Sequence, residues 1–215
     1  MGRGPVGAPA IIRYVNNSLA SVDDVSGADG SMKLIKTVTA SSDATISFVD
    51  GTSDVVLDNT YPVYLFKFIG IHPQTDVKGF RFQGSIDTGS NYNVAITSTF
   101  FNAYHDEADT DTSLNYVTAH DLAQGTGFQR LTHASANDAD NTAATGELWL
   151  FNPSSTTFVK HWMARISDNH SDNYAVDRFS SGYFNTTSAI DAIQFKMESG
   201  NMDAGQIKLY GIKDS

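Results

Sequence analysis

The sequence predicts an all-β chain: an antiparallel β-sandwich of jelly-roll type carrying an extended N-terminal arm. Three observations lead there. From residue 33 onward, apolar residues recur mostly at every second position, the strand period. Val, Ile, Phe, Tyr and Thr dominate these runs, and Gly, Asn, Asp and Ser separate them. Only "DTSLNYVTAHDLAQG" (111–125) has helix spacing, with Leu114 and Val117 three apart and Gly125 as a stop. Strands joined by polar loops, with almost no helix, pack as two sheets. No repeat of about 20–50 residues is present, which argues against solenoids and propellers.

Residues 1–31 read as an attachment arm and linker, and 32–215 as the sandwich domain. "MGRGPVGAPA" is rich in Gly and Pro, which disfavours regular structure. "IIRYV" (11–15) is a short strand and "SVDDVSGADGS" (21–31) a polar linker. Such an arm either frays or packs on a neighbouring subunit. In the second case Arg3, Ile11, Ile12, Arg13 and Tyr14 are its docking residues.

In the sandwich, strands are expected at 34–39 and 44–49, then at 63–71, where "VYLFKFIGI" is apolar on both faces like a covered central strand. "GFRFQGSID" alternates, with Phe80, Phe82 and Ile86 on one face and Arg81, Gln83 and Ser85 on the other. Strands follow at 92–104, 147–152, 158–167 and 174–179, after the short helix within 111–125. In "IDAIQFKMESG", Ile193, Phe195 and Met197 oppose Gln194, Lys196 and Glu198. This run and the last strand, 206–212, flank the polar turn "ESGNMDAG" and are expected to pair as a terminal hairpin.

Charge and composition exclude several function classes. The 215 residues include 14 Lys+Arg and 24 Asp+Glu, a formal net charge of −10. Phosphate binding needs a positive field, so nucleic acid is not an expected partner. No apolar run approaches the roughly 18 residues of a membrane span. The N-terminus lacks the apolar stretch of a secretory signal, and the absence of cysteine fits assembly in a reducing cytoplasm. The sequons at Asn16, Asn169 and Asn185 are read as chance in that setting.

The chemical motifs are weak. "GRGPVG" matches a dinucleotide fingerprint by letter, but no strand precedes it and Pro5 and Pro9 spoil the helix that should follow. Asp106, Asp109 and Asp111 in "HDEADTDTS" would offer oxygen ligands to calcium. An EF-hand loop starting at Asp109, however, would need Gly and Glu where Leu114 and His120 stand, so a solvated loop is the preferred reading. The six histidines show no zinc-site clustering, and no carboxylate pair is marked for glycoside hydrolysis. Aromatics are the remaining signal. Trp149, Trp162 and Tyr183 are candidate contacts for a glycan or a protein partner, against the alternative that a sandwich core claims them.

One segment resembles a family. Ile190, Ile193 and Phe195, then Ser199, Gly200 and Asn201, then Gly205, Ile207, Leu209, Tyr210, Gly211 and Ile212 resemble the C-terminal ends of virion structural proteins of tailed bacteriophages, of the small fibre, tail-tip or decoration type found in marine phages. "YLFKFIGIHP" (64–73) looks like a strand those proteins carry early in the sandwich. The resemblance implies a non-enzymatic, tail- or fibre-associated module used in assembly or host attachment. It also implies a homotrimer, with other virion proteins and a host surface glycan as partners, no cofactor, and a place in the virion after assembly in the host cytoplasm. A capsid decoration protein and a carbohydrate-binding or carbohydrate-cleaving β-sandwich are the alternatives. No shaft repeat is present, so the chain alone is not a long fibre.

Overall fold

The computed structural model describes the backbone at residues 12–15 and 18–22, and all atoms at 31–134 and 143–213. Fifteen strands follow in chain order. They are β1 (Ile12–Val15), β2 (Ser18–Val22), β3 (Met32–Thr39), β4 (Ile46–Val49), β5 (Val63–Pro73), β6 (Phe80–Ser85), β7 (Ile96–Asp106) and β8 (Thr112–Tyr116). After a single 3-10 turn, Thr118–His120, come β9 (Ala123–Gly125), β10 (Gln129–Arg130), β11 (Ala144–Phe151), β12 (Lys160–His170), β13 (Tyr174–Phe184), β14 (Ala192–Met197) and β15 (Met202–Ile212).

These strands build the antiparallel sandwich that the alternation predicts, with layers of unequal width. The large sheet runs β3-β15-β5-β11-β12-β13-β7-β8, with β9 also on β7; the small sheet runs β10-β6-β14-β4. Strands on one side of a pleat must all face one way, so the apolar half of each strand meets its counterpart across the gap. Phe48, Phe80, Phe82, Ile193, Phe195 and Met197 come from the small sheet, and Tyr64, Phe66, Phe68, Leu148, Leu150, Trp162, Ile207 and Leu209 from the large one. β5 is the interior strand that its sequence predicts, between β15 and β11. Tyr64, Leu65 and Phe66 are all buried, but the strand's outer face opens at Ile69, 44% exposed.

Four expectations change. The 111–125 helix reduces to the turn Thr118–His120, because Thr112–Tyr116 and Ala123–Gly125 both pair with β7. Leu114 therefore follows strand geometry, and Val117 only leads into the turn. Ile86 lies past the end of β6 and is exposed, so it does not join Phe80 and Phe82. Gln83 and Ser85 do face away from the core, yet they are buried. Gln83 donates from Nε2 to the carbonyls of Val94, Thr126 and Gly127, which fastens loops over that side of the small sheet.

The terminal hairpin is the fourth correction. β14 pairs with β6 and β4 in the small sheet, whereas β15 lies between β3 and β5 in the large sheet. The turn between them crosses the sandwich, so Phe195 and Leu209 belong to opposite walls of one core. Two glycines in β15 allow the close approach of its neighbours. Gly205 has φ +117° at a bulge, where a Cβ would come 2.6 Å from the Gly70 carbonyl oxygen. Gly211 lies under Tyr61, whose ring a Cβ would meet at 2.3 Å. In the arm, β1 and β2 pair only with each other among the described strands. Ile12, Arg13 and Tyr14 lie in β1, while Arg3 and Ile11 lie outside the described residues.

Gly205→Ala should therefore destabilise the domain by about 1–3 kcal/mol in urea unfolding, from left-handed strain and backbone crowding. Ending the chain at Gly205 removes most of an interior strand and should give insoluble protein. Soluble truncated protein with unchanged circular dichroism would place β15 outside the core.

Candidate functional site

Once Phe66, Leu148, Trp162 and Leu209 point inward, the residues between them must point out. Along one row the large sheet carries Lys67, Glu147, Arg165, Phe179, Phe101 and Tyr116, each directly opposite the next on β5, β11, β12, β13, β7 and β8. This row changes from charged to aromatic across the sheet. Neighbours in such a row interact directly.

The centre of the row is a built platform. Phe101 and Phe179 stack with ring centroids 4.9 Å apart and planes 5° from parallel. The Arg165 guanidinium lies 4.8 Å from the Phe179 centroid and donates to both Asp177 oxygens, at 3.1 Å from Nε and 2.7 Å from Nη2. A guanidinium held by a carboxylate and laid on a ring keeps one orientation. Beside it, the Trp149 indole N–H donates to Glu147 at 3.0 Å. Met163 and Phe101 are 55% and 40% exposed, large apolar groups on a domain whose core is already sealed.

Grooves follow this face. One of about 850 Å³ lies over Lys67, Ile69, Glu147, Arg165 and Asp177. Another of about 390 Å³ lies between Phe101, Trp149, Met163 and Phe179. A third, about 440 Å³, reaches His161 and Tyr183.

Strand parity sorts the predicted contact residues. Trp149 and Tyr183 are on the outer face and line these grooves. Trp162 is not a contact: it is fully buried, edge-on to Phe82 at 4.9 Å. Trp149 pairs with Met163 across β11 and β12, so Trp162, one residue away, must point to the core. Phe101, Phe179 and Arg165 are the residues that sequence reasoning missed. Their alternation was visible, but only the pairing register brings them into one row.

The acidic loop does not converge on a cation. Asp106 accepts from the Thr110 N–H (2.8 Å), the Thr110 hydroxyl (2.5 Å) and the Asp111 N–H (2.9 Å), so its oxygens cap their own turn. These hydrogen bonds, chiefly the Thr110 hydroxyl, hold its carboxyl below the usual range. Asp109 pairs with His105, and Asp111 accepts from Tyr104. Among the described residues, no group of three or more His, Cys, Asp or Glu is placed to hold a metal ion. No helix of the described residues is long and apolar enough to cross a membrane.

A second polar cluster lies on the inner side of the large sheet. Arg178 and Asp168, 4% and 3% exposed, form a buried ion pair at 2.6 Å. Next to it His120, His133 and His170 line a pocket, with ring centroids 4.6 Å apart for the first two and 6.3 Å for the last two. Burial pushes the His120 pKa down from 6.5 to about 4, helped by His133 and nearby arginines. Burial also lowers His133 and His170.

A histidine kept neutral in the fold, but free to protonate when unfolded, costs stability in acid. The domain should lose thermal stability as pH falls from 6.5 toward 4, starting above the range where carboxylates titrate. His120→Asn should flatten the slope of melting temperature between pH 6.5 and 5. An unchanged slope would remove His120 as the cause.

No protein-family model, no curated protein and no solved structure matches the chain. Function rests on the residues themselves.

Proposed function

We propose that this chain is a non-enzymatic structural module of a tailed-phage virion, associated with the tail or a fibre, that holds surface carbohydrate on the outer face of its large sheet. The observation that carries this reading is the Phe101–Phe179 platform, with Phe101 exposed and Phe179 half-buried on the outer face of a sandwich whose core does not need them. Flat rings offer area to the apolar face of a sugar at little entropic cost. Arg165, Asp177 and Glu147 stand beside those rings as hydrogen-bonding groups for hydroxyls. Open grooves along a sheet suit an extended chain of sugars better than a single small molecule.

The likeness of Ile190–Ile212 to phage virion proteins supplies the setting. A homotrimer would carry three such faces, and linked weak contacts raise overall avidity by about 10²–10⁴. The arm at residues 1–31 is the proposed attachment to the particle. A second reading is favoured by Leu114 and Tyr116 on β8, 73% and 58% exposed beside the platform. It makes the same face an interface between copies of the chain.

The paired variant Phe101→Ser and Phe179→Ser separates the two readings. Retention of the wild-type protein on a bacterial-polysaccharide array, lost in the variant at unchanged oligomer mass, supports carbohydrate binding. A variant that falls from trimer to monomer supports the interface. Wild-type protein that binds no glycan and stays a monomer at high concentration overturns both.

A further inference from the structure

The cluster of His120, His133 and His170 has a geometry that the reading above leaves unused. On the inner side of the large sheet, the segment 117–134 closes over β7 and β13. His120 packs edge-on to Phe100 at 4.9 Å, and Arg178 donates to the His133 carbonyl at 2.8 Å. Between them is a pocket of about 230 Å³, lined by Asn102, Tyr104 and Tyr174 as well as the three histidines and Arg178.

Hydrogen bonds fix two of the imidazoles. Arg130 Nη1 can only donate, and it lies 2.9 Å from His133 Nδ1. The Asp172 backbone N–H donates to His170 Nδ1 at 3.2 Å. Both rings therefore keep their proton on Nε2, as N–H donors. His120 contributes a buried Nδ1 that has no hydrogen-bond partner among the described residues. A buried polar atom left unpaired is unfavourable, and a ligand that pairs it gains that energy.

Charged groups surround the pocket. Among the described residues, Arg178 lines it and is held by Asp168, while Arg81 and Arg130 act on His120 from beyond the lining and share one oxygen of Glu198. Of the acids, Asp121 accepts from the Tyr116 hydroxyl and keeps a buried Oδ1 with no hydrogen-bond partner among the described residues. Asp172 is near His170 at 3.6 Å and is 72% exposed, and Asp111 accepts from the Tyr104 hydroxyl. The three arginines together set a positive field at His120, in a chain of net charge −10.

We propose that this pocket binds a small oxyanion, a carboxylate or a phosphate or sulfate group, between the His133 and His170 N–H donors, His120 and Arg178. The volume admits one such group with its immediate substituent. The anion offsets the positive field of the arginines at His120, and it favours protonation of the imidazoles around it. Binding should therefore tighten as pH falls from 7 to 5.5.

Histidine side-chain nitrogen resonances of the full chain test this, during titration with sodium sulfate, phosphate or acetate against sodium chloride at matched ionic strength. The expected result is saturable shifts at His120, His133 and His170 but not at exposed His105, with a dissociation constant on the order of 1 mM. His133→Ala and His170→Ala should each weaken binding about tenfold. His133 is the more exposed of the two, so its variant keeps the test valid if the other fails to fold. A response to sulfate and phosphate alone assigns a tetrahedral group, and a response to acetate assigns a carboxylate such as that of an acidic sugar. Shifts that follow chloride equally, or that do not saturate by about 50 mM, overturn the proposal, as does unchanged affinity in His133→Ala.

Discussion

Phe195 is the contact on which the rest of the molecule depends. Its ring meets Phe48, Phe80 and Phe82 of its own sheet and Phe66 and Phe68 of the facing sheet, at centroid distances of 6.1, 5.7, 6.3, 5.2 and 5.2 Å. Most of these are edge-on contacts, the favoured arrangement for aromatic pairs. One side chain thus holds both layers at a fixed spacing. Because side chains alternate with period two, fixing Phe66 and Phe68 inward also fixes Lys67 and Ile69 outward. The same constraint, carried across the ladder, places Arg165 and Phe179 outside. The platform is therefore a consequence of how the core is built.

The unequal widths of the sheets explain the second polar cluster. A small sheet of β10, β6, β14 and β4 cannot cover the whole inner face of a sheet twice as wide. Where it does not, the segment 117–134 lies over β7 and β13, and beside Leu122 and Leu131 it brings backbone carbonyls and imidazoles. Ser98 and Gln129 hydrogen-bond there at 2.6 Å, and Arg178 finds Asp168 and the His133 carbonyl. A buried ion pair of this kind adds little net stability but is costly to break. It therefore serves mainly to fix where the segment lies.

Much of the fold was legible because each strand carries its own alternation. The runs "IDAIQFKM" and "VYLFKFIGI" show at once which residues face a core and which strand is interior. What could not be read was pairing. "ESGNMDAG" has the composition of a hairpin turn, and nothing local distinguishes a turn within one sheet from a crossing between two. Residues 111–125 carried helix spacing, but the edge of β7 offered unpaired backbone groups, and pairing with it decided the outcome. The site was partly legible for the same reason. Trp149 and Tyr183 could be singled out as aromatics, yet Trp162 looked equivalent until register gave it the opposite parity. Phe101 and Phe179 are 78 positions apart by number and meet only through β7 and β13.

The central claim is that the core seals itself and leaves the outer face free to bind. Urea unfolding of two single variants tests it most directly. Phe195→Ala should lower stability by about 3–5 kcal/mol, while Phe179→Ser should cost less than about 1 kcal/mol, as for a surface change. Equal losses from the two variants would mean that the platform belongs to the structural core, and the account would fail.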